Sequence, residues 1–191
     1  MAREKKFTTK ELFQETKQIL LENGYDGFTF GILAERLEVS RGAIYKYFDN
    51  KDELIVEFML QEMKNFLVDL NEITQCKNFH EKFNYLIDLI FQNANIHQII
   101  AIGQRISNTR DKRITTKKKE LDQLHIKMYH QLDEFIQLGK KTSKVKPSIP
   151  NALILGFIFQ TIAIPNHFHI SRDLWINSIK EIILDGISNN N

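Results

Sequence analysis

Apolar residues recur at steps of three and four almost from end to end of this chain, the period of an amphipathic α-helix, and no segment alternates as a strand would. Thr8 and Glu11 form a capping box at the start of a helix whose Leu12, Phe13, Thr16, Ile19 and Leu20 share one face. Asn23-Gly24 supplies its C-terminal stop. Thr29 can cap a short helix through Leu37, and Ser40 another through about Phe48, so that two short helices meet at a tight turn. Asn50, followed three residues later by Glu53, opens a longer helix that keeps its apolar stripe to about Thr74, and Asn78 with Glu81 opens the next. A shorter helix is expected over residues 98–107. The longest helix of the second half runs from about Asp111, with Gly139 as the residue just past its end. A lysine-rich loop, GKKTSKVKPSIP, precedes a helix that begins near Pro150 and stops before Pro165. Ser171 caps a last helix that closes at Gly186.

These elements, about nine helices in all, predict an all-α chain. Residues 1–50 form an N-terminal three-helix helix-turn-helix domain, and residues 51–191 a C-terminal helical bundle. Within the turn-linked pair, Ile44 and Phe48 share the inward side of the second helix, while Arg41, Gly42, Tyr45 and Lys46 face out. That outward face suits the major groove of DNA. Arg41 can donate a bidentate pair to guanine, and small Gly42 and Ala43 let the backbone approach. Tyr45, Lys46, Tyr47, Lys51 and Ser40 can hold phosphates, aided by the amides of a helix N-terminus.

Residues 19–54, ILLENGYDGFTFGILAERLEVSRGAIYKYFDNKDEL, resemble the DNA-binding region of the TetR/AcrR family of bacterial transcriptional regulators. The resemblance rests on NGYDGFT, Leu33-Ala34, Val39-Ser40, Gly42, the string from Ile44 to Phe48, and NKDEL. It implies phosphate contacts from Thr29, Ser40, Tyr45, Tyr47 and Lys51, and base contacts from Arg41, Gly42 and Lys46. Two positions depart from the family pattern. Glu38 stands where a turn glycine is usual, so it either adopts a left-handed backbone, at about 1 kcal/mol, or reshapes the turn. Tyr47 stands where histidine is frequent.

Charge changes this picture in one respect. The formal net charge of +2 does not by itself point to nucleic acid, and residues 1–53 hold nine cations against ten acids. Affinity for DNA must therefore come from arrangement, with Arg3, Lys5, Lys6, Lys10, Lys46 and Lys51 sharing one side. Composition adds the setting: 42% hydrophobic and 26% charged residues over 191 positions is the globular range. Cys76, the sole cysteine, leaves no intramolecular disulfide. The start, MAREKKFTTKEL, carries no apolar core of a secretory signal, and the apolar run over 152–164, broken by Gln160 and Thr161, is shorter than the ~18 residues of a spanning helix. A cytoplasmic protein without a membrane partner follows.

The helix from Pro150 is apolar nearly all round, which calls for cover on more than one side. Gly156 permits close approach by a second copy, and the resemblance implies a homodimer through the last two helices, about 150–187. It also implies a small effector inside the C-terminal helices. Since the second half is rich in Phe and Ile, that effector would be hydrophobic or amphipathic. Candidate pocket residues are Phe66, Phe91, His125, Tyr129 and Gln160. Phenylalanines at this spacing also read as plain core. His125 reads either as a hydrogen-bonded core histidine or as a polar anchor, and Gln160 as a pocket, dimer or internal contact. No metal set, cofactor motif or catalytic signature such as G-x-S-x-G or H-E-x-x-H occurs, so the chain does not read as an enzyme. The cluster of Arg110, Lys112, Arg113, Lys117, Lys118 and Lys119 reads most simply as a solvated helix start, with a second nucleic-acid patch as the alternative. Two regulatory readings remain: a dimeric repressor released from a palindromic operator by its ligand, or a same-fold activator or partner-controlled regulator without a small-molecule pocket.

Overall fold

Four of the capping residues read from the sequence do close helices in the computed structural model, which describes residues 7–95, 99, 102, 103, 105, 106 and 111–188. At α1 (Thr9–Gly27) the Thr8 N–H donates to Glu11 Oε2 at 2.6 Å while the Glu11 N–H donates to Thr8 Oγ1 at 3.1 Å. Accepting that backbone bond holds the Glu11 carboxyl below its ordinary pKa. Thr29 accepts from Ile32 N at the start of α2 (Phe30–Arg36), and Asn50 from Glu53 N at 2.9 Å at the start of α4 (Lys51–Asn71). Asn78 accepts from Glu81 N to open α5 (Phe79–Gln92). Between them, α3 is only Arg41–Ile44, and Ser40 makes no side-chain cap bond. The chain continues through α6 (Lys112–Lys141), α7 (Asn151–Gln160) and α8 (Arg172–Ile187). Glu72–Gln75 and Thr161–Ala163 form 3-10 turns. Eight α-helices thus occur among the described residues, with no strand beyond a single bridge between Val145 and Ser188. The helix expected over 98–107 falls on a stretch largely outside those residues. No described helix is long and apolar enough to cross a membrane.

The chain divides into two compact units, Met1–Lys64 with Asn95–Gln123, and Asn65–Ala94 with Leu124–Asn191. In the first, α1 packs on α2 and α2 on α3, around Ile19, Leu20, Phe28, Leu33, Ile44 and Phe58, all 0–1% exposed. In the second, α8 packs on α5 and α7, and its inner stripe of Ile176, Ile179, Ile183 and Ile187 repeats at the three- and four-residue steps that burial on one face requires.

Several helix ends differ from expectation for local reasons. Gly24, with φ 66° and ψ −174°, kinks α1 rather than ending it, and the helix resumes to Gly27. Gly139 does not follow the end of α6 but sits inside it: a Cβ there would fall 2.6 Å from Phe79 Cε2 and 2.7 Å from Val145 Cγ2. Its role is close packing, beneath a Phe79 ring stacked on Phe135 with centroids 5.0 Å apart. Ser143, at φ 56°, takes the left-handed position instead, with Lys144 N bonded to Gly139 O and Ser143 N to Lys140 O. Pro150 is the cap of α7 rather than its first residue, and α7 ends at Gln160. Ser171 caps α8 without a side-chain bond, and Gly186 lies within that helix, which runs on to Ile187.

Candidate nucleic-acid interface

The turn between α2 and α3 is built by backbone bonds alone. Leu37 caps α2, Glu38 N–H donates to Glu35 O at 3.1 Å, and Val39 N–H reaches back to Ala34 O at 2.9 Å. This is the paired bonding of a Schellman motif, and it needs a left-handed residue at position 38. Glu38 supplies it at φ 53°, so the turn keeps its shape and the side chain bears the strain. Glu38→Gly is expected to raise unfolding stability by about 1 kcal/mol, read as a higher denaturant midpoint at unchanged slope. An unchanged or lower midpoint would contradict the strain assigned here.

The recognition segment is shorter than the sequence suggested: one helical turn, then a bend in which Tyr47 N and Phe48 N both bond Ile44 O, at 2.9 and 3.2 Å. Ile44 is fully buried and Phe48 half-buried, as inward anchors should be. Ser40, Arg41, Gly42, Tyr45, Lys46 and Tyr47 are all exposed. The tyrosines are 55% and 48% exposed, yet each is braced at one edge, Tyr45 against Phe30 and Tyr47 against Phe7, with centroids 5.0 and 5.6 Å apart. Such bracing limits how far each ring can swing. A Cβ on Gly42 would meet nothing closer than Ser40 Oγ at 3.9 Å, so no neighbour within the fold demands glycine there. Gly31, which sequence reasoning missed, is different: a Cβ on it would lie 2.6 Å from Arg41 Nη2. The exposed guanidinium rests across α2 against Gly31, and as the far end of a flexible side chain it could shift to admit a Cβ there.

Thr29 is exposed, and its hydroxyl accepts from Ile32 N, which leaves its proton to donate to a phosphate. Lys51 is placed otherwise. Its Nζ donates to Tyr25 O at 2.9 Å and stands 4.1 Å above the Tyr25 ring, while Tyr25 donates to Asp52 Oδ1 at 2.6 Å. Burial, with that bond to Asp52, pushes the Tyr25 phenol up to about 12. Lys51 thus already secures the start of α4 to the end of α1.

The balance of nine cations and ten acids acquires a physical account. Arg36 reaches Glu22 and Glu15, Lys17 meets Glu62 at 2.7 Å, and Arg105 meets Asp26 at 2.6 Å. Arg113 contacts Asp49 and stands 3.5 Å from Glu53. Its hydrogen bond to Asp49, with the nearby charge of Glu53, raises its pKa further. Arg105 and Arg113, from beyond residue 53, thus partner acids of the first 53, whereas Lys17 is taken up by Glu62. The cluster read as a solvated helix start is solvated at Lys112, Arg113 and Lys119 but is also paired: Arg113 is engaged as above, Lys117 pairs with Glu57 at 2.5 Å, and Lys118 donates to Ile106 O at 3.1 Å. Arg110 lies outside the described residues.

The five pocket candidates lie in different surroundings. Phe66 is buried, and Phe91 and His125 are half-buried. Tyr129, 51% exposed, lies edge-on to Phe159 at 6.0 Å, and Gln160 is exposed at the end of α7 rather than inside it. Exposed apolar side chains gather on the last two helices: Leu153 and Phe157 one turn apart on α7, and Leu174 and Ile182 on α8. A Cβ on Gly156 or Gly186 would meet open space.

Comparison with known proteins agrees with this geometry. Residues 8–58 match the model of bacterial regulatory proteins, tetR family. The fatty acid metabolism regulator protein of Bacillus subtilis (strain 168) is 23% identical over 184 residues, 94% of this chain and 95% of that protein. Among solved structures, FadR from Bacillus subtilis in complex with stearoyl-CoA superposes with TM-score 0.66 at 21% identity, covering 94% of this chain and all of that one. The ketosteroid regulator KstR2 of Mycobacterium tuberculosis reaches 0.71 at 16% identity, covering 98% and 97%. Residues 8–58 thus carry the DNA-binding segment of the tetR family of bacterial regulatory proteins, and along nearly its whole length the chain is similar to transcriptional regulators rather than to enzymes.

Proposed function

We propose that the chain acts in the cytoplasm as a homodimeric repressor of a palindromic operator, released when a small amphipathic ligand occupies its second half. One observation carries the DNA side of this reading: Ser40, Arg41, Gly42, Tyr45, Lys46 and Tyr47 all face solvent on a segment pinned by buried Ile44. Arg41 and Lys46 read bases. Thr29, Ser40, Tyr45 and Tyr47 hold phosphates, and Lys51 positions the α4 terminus where its amides can do the same. Residues 1–50 make the reading head. Residues 51–191 serve ligand binding and dimerisation, and the exposed apolar faces of α7 and α8 pair with their symmetry mates. Two heads then read two half-sites about one helical turn apart, or a small multiple of it.

The relative bound to stearoyl-CoA supports an effector of the acyl-thioester kind: an apolar tail on a charged head, matching a second half rich in Phe and Ile. Phe66, Phe91, His125, Tyr129 and Gln160 are the residues to test for contact. Such a ligand shifts the DNA equilibrium only by its preference for the non-binding state, typically about 1–3 kcal/mol. Stearoyl-CoA at saturating concentration is expected to weaken operator binding about 5- to 150-fold in fluorescence anisotropy. No change would favour the same fold acting without a small-molecule pocket.

A further inference from the structure

We propose that Arg113 is a positioning residue for DNA recognition, a latch that fixes the turn joining the recognition segment to α4. The inference rests on the reading of residues 40–47 given above and names what holds them in place. Asp49 is the first residue past Phe48, and Arg113, in the first turn of α6, grips it twice over. Nη2 binds the Asp49 carboxylate directly. Nη1 stands 3.5 Å from Glu53 Oε1, while the other oxygen of Glu53 accepts the Asp49 N–H at 2.9 Å. Side chain and backbone of one turn residue are thus tied to a single guanidinium. That guanidinium is itself oriented, since Asp111 accepts the Arg113 N–H at 2.8 Å and its second oxygen lies 3.5 Å from Nη2.

Exposed ion pairs contribute little to stability, and the Arg113–Asp49 pair is exposed. Its consequence is geometric, for two reasons. The Glu53 side chain is only 7% exposed, so Arg113 is also the countercharge to a buried carboxylate. Packing, moreover, anchors the segment chiefly at Ile44 and is looser toward its C-terminal end, where Phe48 is only half-buried. A cleft of about 370 Å³ opens under Tyr47 and Phe48, lined also by Phe7, Leu12 and Phe13. With Ser40 giving no cap bond and α3 a single turn, the polar ties at Asp49 add to Ile44 a second fixed point, at the far end of the segment. Lysine cannot replace them, because one ammonium does not span two carboxylates as a planar fork does.

The test is operator binding by anisotropy over a range of salt, for wild type, Arg41→Ala, Arg113→Ala, Arg113→Lys and Asp49→Asn, with folding followed by circular dichroism. Removing an acid beside DNA should tighten binding on electrostatic grounds. The latch demands the opposite: Asp49→Asn weakens binding about tenfold, as do Arg113→Ala and Arg113→Lys, and Asp49→Asn with Arg113→Ala together are no worse than the second alone. The dependence on salt keeps its slope, since no phosphate contact is lost. Should Arg113→Ala unfold, Asp49→Asn still decides, because it leaves Glu53 compensated. Tighter or unchanged binding by Asp49→Asn, or a shallower salt slope for Arg113→Ala, overturns the latch. If Arg41→Ala binds like wild type, the reading of the recognition segment falls. If Arg41→Ala weakens binding while Asp49→Asn and Arg113→Ala do not, only the latch falls.

Discussion

Phe157→Asp will leave each chain folded, convert the protein to a monomer and remove high-affinity operator binding. Phe157 is 64% exposed on α7, one turn from Leu153 at 51%, and α8 presents Leu174 and Ile182 at 59% and 71%. An isolated chain has little to lose when a side chain already in solvent is replaced. In a two-fold dimer each substitution counts twice. Burying one phenylalanine is worth about 1.5–3 kcal/mol, so at least about 3 kcal/mol of association free energy is lost, before the cost of burying two unpaired carboxylates. Dimer affinity should fall by more than about 100-fold. Operator affinity falls with it, because the second half-site no longer binds as part of one particle. Sedimentation velocity at micromolar concentration reads the first effect and anisotropy the second. A dimer that persists at that concentration would place the interface elsewhere.

Arg41→Ala is the second large effect, about 1–3 kcal/mol in operator affinity, with preference relaxed at one base position per half-site. The side chain is exposed and its guanidinium lies over Gly31, so truncation opens no core cavity and leaves Ile44 buried as before. Any loss therefore belongs to the DNA contact. Tyr45→Phe gives the contrasting signature: without the phenolic hydroxyl but with its ring still braced on Phe30, it should weaken all sequences alike. Competition titrations against single-base variants of the operator separate the two. Equal discrimination by wild type and Arg41→Ala would remove Arg41 from base readout.

Much of this was legible in the chain, because capping and periodicity are local. Thr8, Thr29, Asn50 and Asn78 announce their helices through side-chain acceptors three residues from the N–H they satisfy, and the structure uses all four. What the sequence hid is relational. Gly139 lies near a helix end, where glycine ordinarily stops a helix, but the reason for it is the ring of Phe79, sixty residues away. The lysine and arginine run at the start of α6 reads as a solvated face, but not as one whose partners Asp49, Glu53 and Glu57 are brought beside it by folding. Glu38 shows the reverse case: the motif fixed a left-handed site, and the backbone kept it although the residue opposes it.

The central claim is that two joined copies present the segment from Ser40 to Tyr47 to one duplex. Selecting bound DNA from a random-sequence library, with wild type and Arg41→Ala side by side, tests it most directly. The expected result is an inverted repeat with half-site centres about one helical turn or a small multiple apart, degraded at one symmetric pair of positions by Arg41→Ala. Recovery of no repeated half-site, or of the same motif at full strength from both proteins, would contradict it.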